Sequence, residues 1–174
     1  MAQRFQTARM RLRPTASEDL DALIALDSDP EVMRHISGGE PNSRAVYEAE
    51  LLPRMLAYAD QPYGFYCAFA RDGSGEFLGW FHLRPSVFDA QLLELGYRLR
   101  RACWGRGLAT EGSRELIRHG FEQLEIPAID ACAVPENHAS IAVMRKCDMR
   151  YVGLAKHPRV EAPLARYLLE REPS

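Results

Sequence analysis

At 174 residues, 47% of them hydrophobic, the chain can bury one substantial core, and a single domain over residues 1–174 is predicted. With 22 basic and 24 acidic residues and a formal net charge of −2, it offers no electrostatic case for nucleic acid or a membrane surface; no run approaches transmembrane length, and the polar, basic N-terminus lacks an apolar signal core, so a cytoplasmic protein is expected. Cys67, Cys103, Cys132 and Cys147 are scattered, with no C-x-x-C pair or Cys/His cluster, which predicts reduced, mostly buried thiols and neither a disulfide framework nor a metal site.

Residues 9–13 alternate basic and apolar side chains and stop at Pro14, as an opening strand would. Residues 15–18 read as a capping box ahead of Leu20, Leu23, Ile24 and Ala25, which share one helical face; that helix should end near Asp29, because Pro30 disfavours helical geometry at the residue before it. Residues 35–42, rich in Gly, Ser and Pro, read as a loop. Ser43 then caps a second helix marked by Val46, Ala49 or Glu50, Met55 and Leu56, with a break or kink at Pro53. Residues 64–71 and 76–84 are strand-like and joined by the hairpin signal Asp72-Gly73-Ser74-Gly75. A third apolar run, residues 91–100, precedes a helix predicted over 109–124, with Leu116, Ile117, Gly120, Phe121 and Leu124 as its core stripe and Gly112 and Gly120 permitting close packing on a sheet. A short strand at 129–134, a helix capped by Asn137, and strands at 150–155 and 164–169 complete a mixed sheet.

Between the third run and its helix lies Trp104-Gly105-Arg106-Gly107-Leu108-Ala109-Thr110-Glu111. Gly105 and Gly107 can take positive φ and carry no Cβ, so successive backbone N–H groups can converge on an anion. The free amides of the helix's first turn and the positive end of its macrodipole point into the same space, with Arg100, Arg101 and Arg106 around the rim. A phosphorylated cofactor is therefore predicted. The spacing excludes a P-loop, since no lysine follows the glycines, and a dinucleotide fingerprint, since Thr110 stands where a third Gly or Ala belongs.

These eight residues resemble the pyrophosphate loop of the GNAT superfamily of acetyl-CoA-dependent N-acetyltransferases. Gly107 and Ala109 match the superfamily pattern, while Trp104 replaces its Gln or Arg; the W-G-x-G-x-A-T-E form, and the earlier Asp29-Pro30-Glu31-Val32-Met33, resemble the branch containing the ribosomal-protein N-terminal acetyltransferases. A second motif of the superfamily is matched by Asn137, Ser140, Val143 and Lys146. Two departures stand out. The usual K-x-G-F ending is replaced by Lys146-Cys147-Asp148-Met149, which requires Asp148 to adopt a left-handed turn, and Met144 stands where many members carry a tyrosine acid.

The resemblance implies a single-domain α/β (α+β) fold with a mostly antiparallel central sheet flanked by helices, acetyl-CoA as co-substrate, and direct acetyl transfer to a primary amine in a ternary complex. The implied cofactor-binding residues are Tyr97, Arg98, Leu99, Trp104, Gly105, Arg106, Gly107, Leu108, Ala109, Thr110 and Asn137. The backbone of Tyr97, Arg98 and Leu99 would pair with the pantetheine amides and supply an oxyanion N–H, and Ser140 would protonate the leaving thiolate. Glu94 is the best-placed carboxylate to take the amine's proton. Structural roles compete with these: a tight turn at the two glycines, a backbone hydrogen bond at Ser140, a solvated or ion-paired strand face at Glu94, packing at Trp104, and ordinary structural or exposed positions for His82 and His138. The segment around residues 35–56 would shape acceptor choice. The acceptor is a protein N-terminus or a small amine such as an antibiotic, polyamine or amino acid, and the protein a monomer or homodimer. The alternative is a non-catalytic acyl-CoA-binding sensor or interaction module on the same fold.

Overall fold

The computed structural model describes residues 3–172. Along the chain lie strands β1 (Phe5–Gln6), β2 (Met10–Pro14), β3 (Gly64–Ala70), β4 (Phe77–Pro85), β5 (Leu93–Leu99), β6 (Ala128–Ala133), β7 (Arg150–Ala155) and β8 (Leu164–Glu170). They hydrogen-bond in the order β1-β2-β3-β4-β5-β6-β8-β7, a mixed, mostly antiparallel sheet in an α/β protein. The chain divides into two compact units: one runs to His82 and includes Tyr97–Ala109, and the other comprises Leu83–Gly96 and the residues from Thr110 onward.

In the first unit, alternation decides β2: Met10 and Leu12 are fully buried while Arg11 faces outward, and the strand pairs antiparallel with β3 from Met10↔Ala70 to Pro14↔Tyr66. Helix α1 (Leu20–Asp27) follows a short 3-10 turn, Ser17–Asp19. The capping box expected over residues 15–18 is displaced by one residue. Asp19, not Glu18, closes it by accepting from the Ala16 N–H at 2.8 Å, because Arg13 grips the same carboxylate bidentately at 2.7 and 2.8 Å; Thr15 instead turns its hydroxyl to Cys67 Sγ. Helix α2 (Pro30–Ser37) corrects the loop expected from residue 35. Pro30 occupies its first turn and the Asp29 carboxylate accepts from Glu31 N–H, so the residues that stop α1 also start α2, which runs until Gly38 turns left-handed at φ 73°.

Ser43 caps α3 (Arg44–Val46) as expected, accepting from Val46 N–H at 3.2 Å. Of the break or kink predicted at Pro53, the break does not occur, since helical structure is continuous from residue 44 to 56. A π-helical segment, Tyr47–Leu51, precedes α4 (Leu52–Leu56), and Pro53 sits within the first turn of α4. The wider π turn removes the i−4 contact that the proline ring would violate, so the helix passes through. Leu23 and Leu26 of α1, Tyr47 and Met55 pack against Phe65 and Trp80 of the sheet as the core of this unit.

In the second unit, β5 pairs parallel with β6 at Leu93↔Ile129 and Glu94↔Asp130, and β6 and β7 both pair antiparallel with β8. Helix α5 (Leu108–Glu122) buries Leu116 and Ile117. A Cβ on its Gly120 would lie 3.0 Å from Ile129 Cδ1 and 3.1 Å from Ile126 Cδ1, so the glycine does allow close packing. Helix α6 (His138–Lys146) buries Ile141 and Met144 and ends in the left-handed turn that the Asp148 departure demanded, at φ 62°. Met149 N–H bonds Met144 C=O and Asp148 N–H bonds Arg145 C=O, the two bonds of a Schellman motif, with Met149 buried behind them. Among the described residues no helix is long and apolar enough to cross a membrane.

Candidate active site

The loop that closes β5 is built as its glycines require. After Leu99, a 3-10 turn (Arg101–Cys103) leads to Trp104; Gly105 and Gly107 then take φ of 70° and 77°, and α5 begins at Leu108. Both values lie in the left-handed region that a side chain disfavours. Nothing lies within 4 Å of a Cβ built on Gly105, so the turn opens onto free space beside the first-turn amides of α5. That cradle fits a diphosphate: backbone donors, a helix N-terminus and no Cβ on either glycine.

Charge around it is distributed differently from the expectation. Arg100 pairs with Glu76 and Arg101 with Asp29 at 3.3 Å, whereas the Arg106 side chain is exposed. Trp104, expected to pack, is 46% exposed and held by one hydrogen bond from Nε1 to the Leu99 carbonyl at 3.0 Å. That bond pins the turn while much of the residue stays exposed. Arg9, which sequence reasoning passed over, donates from Nη1 to the Arg106 carbonyl at 2.7 Å, and its Nη2 would lie 3.4 Å from a Cβ on Gly107. It comes from the start of the chain, 97 residues away, and no local pattern marks it.

Upstream of the loop, Tyr97, Arg98 and Leu99 lie on β5 beyond the two pairs of its ladder with β6. Arg98 does not face solvent. Its Nη1 donates to Asp27 Oδ1 at 2.7 Å, and its Cζ sits 5.1 Å from the Trp80 ring centroid. Asp27 is fully buried and accepts at its other oxygen from Tyr47 Oη at 2.7 Å and Asn42 Nδ2 at 2.8 Å. Burial and the neighbouring Asp27 push the Tyr47 phenol far above its ordinary value, so it stays a donor.

Glu94, Asn137 and Ser140 belong to the second unit. Glu94 is buried and accepts from Arg84 Nη2 at 2.8 Å, so its strand face is ion-paired rather than solvated. Its ladder partner Asp130, fully buried, accepts from Ser86 Oγ at 2.7 Å and from Arg166 Nε and Nη2 at 3.0 and 2.8 Å; burial outweighs these partners and raises its pKa. Asn137 caps α6, its Oδ1 accepting from Ser140 N–H at 3.1 Å, which leaves the Ser140 hydroxyl outside that bond. Of the two histidines, His82 is buried with its ring stacked 5.7 Å from Trp80, and His138 is exposed.

Residues 9–150 match the acetyltransferase (GNAT) domain family, a span holding both the glycine loop and the helix capped by Asn137. The chain belongs to that family. The FsC-acetyl coenzyme A-N(2)-transacetylase of Aspergillus fumigatus is 31% identical, the match covering 97% of this chain and 76% of the relative. A GNAT acetyltransferase from Bacillus anthracis superposes with a TM-score of 0.79 at 21% identity, covering 97% of this chain and 98% of its own. A ribosomal-protein alpha-N-acetyltransferase solved with coenzyme A superposes with the same TM-score of 0.79 at 16% identity, with 97% and 98% covered. The protein is an acetyl-CoA-dependent N-acetyltransferase whose acceptor is an amine. The acetyltransferase's four cysteines are free thiols, three buried and Cys132 half-buried; burial lifts Cys67 and Cys132 to about 12 and Cys147 to about 11.

Proposed function

We propose that the enzyme, one N-acetyltransferase domain spanning residues 1–174, moves acetyl from acetyl-CoA to a primary amine by direct attack within a ternary complex. The observation that carries this is the two-glycine turn opening α5, a built anion cradle at the end of β5. In this reading the backbone of Tyr97, Arg98 and Leu99 holds the pantetheine amides and offers an N–H to the developing oxyanion, while Asn137 hydrogen-bonds the pantetheine arm. Glu94 takes the amine's proton, directly or through water. The nitrogen lone pair forms the new N–C bond, the C–S bond breaks, and Ser140 Oγ gives its proton to the leaving thiolate before recovering one from solvent.

The acceptor is a protein N-terminus or a small amine. Support for both comes from similar proteins, one an FsC-acetyl coenzyme A-N(2)-transacetylase and another a ribosomal-protein alpha-N-acetyltransferase. The four free thiols are in keeping with a cytoplasmic enzyme. The test is release of the coenzyme A thiol across a panel of peptides and small amines at saturating acetyl-CoA. The raised cysteine pKa values keep the protein's own thiols slow in that assay. Turnover that depends on Glu94 and Ser140 supports the reading; saturable acetyl-CoA binding with thiol release no faster than buffer overturns it.

A further inference from the structure

Glu94 and Asp130 are register partners on the parallel strands β5 and β6, so their side chains leave the same face of the sheet, one strand spacing of about 4.8 Å apart. Both are buried. Arginines flank them: Arg84 of β4 donates to Glu94 Oε1 at 2.8 Å, and Arg166 of β8 donates to Asp130 Oδ2 at 2.8 and 3.0 Å. Across β4, β5, β6 and β8 the charges therefore run plus, minus, minus, plus, with the two like charges adjacent.

The middle of that row holds an oxygen to which the protein brings no donor. The hydrogen bonds to the Asp130 carboxylate all fall on Oδ2, two from Arg166 and one from Ser86 Oγ, which itself accepts from Phe88 N–H at 3.1 Å and so turns its own hydrogen to Asp130. Among the described residues, Asp130 Oδ1 is buried and without a partner. Folded proteins rarely leave a buried oxygen so, and two neighbouring carboxylates favour taking up one proton between them. Burial first, and Glu94 as a further cause, press Asp130 in that direction. The other titratable groups around the pair do not compete for the proton. Cys132, opposite Arg166 in register, has its thiol lifted by burial to about 12 and stays neutral. His157, edge-on to Phe88 at 6.0 Å, is pushed below its ordinary value by burial, with Arg84 and Arg159 adding to the push and Glu94 opposing it.

We propose that Asp130 Oδ1 is the acceptor for the proton that Glu94 removes from the amine, so that the two carboxylates hold that proton jointly. The N–H bond of the attacking amine breaks with its electron pair left on nitrogen, an O–H forms on Glu94, and that O–H donates to Asp130 Oδ1 until water carries the proton away. Asp130 acts through Glu94 and is a positioning residue. This rests on the reading of Glu94 as the base and names the group that tunes it.

The test is a carboxyl 13C NMR titration of the labelled protein, without cofactor or acceptor, in wild type, Asp130→Asn and Glu94→Gln. The Glu94 midpoint should lie about one pH unit or more higher in wild type than in Asp130→Asn, a tenfold change in proton affinity, and Asp130 should move down likewise in Glu94→Gln because coupling is reciprocal. A Glu94 midpoint in Asp130→Asn within about 0.3 unit of wild type overturns the proposal. Should Asp130→Asn fail to fold, an unmoved Asp130 midpoint in Glu94→Gln overturns it equally. The pH profile of kcat/KM, expressed per neutral amine for the acceptor that turns over in the thiol-release panel, separates this from the catalytic reading. An acid limb that falls with the Glu94 midpoint in Asp130→Asn supports both. Coupled titration with an acid limb that ignores it sinks Glu94 as the base and keeps the shared proton, whereas uncoupled titration with an acid limb at the Glu94 midpoint sinks the shared proton alone.

Discussion

Arg98 on β5 and Asp27 at the end of α1, 71 residues apart, form a 2.7 Å ion pair with the carboxylate wholly buried. The pair joins the strand before the two-glycine turn to Tyr47 and Asn42, which lie in the segment expected to shape acceptor choice. Removing one partner of a buried pair leaves the other desolvated and unpaired. Asp27→Ala is therefore expected to lose about 3–5 kcal/mol of stability in urea unfolding. A loss under about 1 kcal/mol would show that water replaces the carboxylate freely.

Gly79 stands where the Arg98 carbonyl and Leu99 Cα would lie 2.2 and 2.8 Å from a Cβ, at a φ of 140°. Backbone atoms cannot yield as a side chain can. Gly79→Ala should fail to accumulate as folded protein, or unfold at a far lower temperature than wild type, while Gly73→Ala, with nothing within 4 Å, serves as the matched hairpin control.

Gly107→Glu places a carboxylate in the anion cradle, and Gly107→Ala adds the same Cβ without charge, 3.4 Å from Arg9 Nη2. Calorimetry should find acetyl-CoA binding weakened in both by left-handed strain, and far more in the glutamate variant by repulsion of the diphosphate. Unchanged affinity in Gly107→Glu would remove the loop from the cofactor site.

Asn137 and Ser140 share one hydrogen bond yet should separate in assay. Asn137→Ala removes the cap of α6 and should cost about 1 kcal/mol in denaturation. Ser140→Ala keeps the backbone N–H that the cap uses, so stability and acetyl-CoA affinity should hold while kcat falls. Wild-type turnover in Ser140→Ala would return the hydroxyl to a structural role.

Burial works against the Asp19 carboxylate, but the Arg13 guanidinium and the Ala16 N–H outweigh it and hold its pKa below 3.8. Its contribution to stability is present above that unfolded-chain value and is lost as pH falls through the lower folded value. Wild type should lose stability to Asp19→Asn progressively below about pH 4, so that the two unfolding curves converge at strong acid. A stability gap that stays constant through that window would show that Asp19 is not what titrates.

Local chemistry was enough for much of the fold. Glycines that need positive φ, an asparagine that can cap and strands that alternate faces declare themselves within a few residues, so the loop after β5, the start of α6 and strands such as 150–155 were legible in order along the chain. Where neighbours compete for one partner, local reading slipped. Arg13 drew the capping box to Asp19, and the π turn absorbed the proline expected to break a helix.

The sequence by itself determined the family and the two-glycine turn that opens α5, because those depend on backbone conformations that short motifs encode. Only the tertiary structure decided that Arg9 reaches the Arg106 carbonyl, that Arg98 is neutralised by Asp27, and that Trp80 lies beside it with its N–H unspent. Those pairings join residues tens of positions apart, and their energies come from desolvation, which exists only once the chain has closed around them.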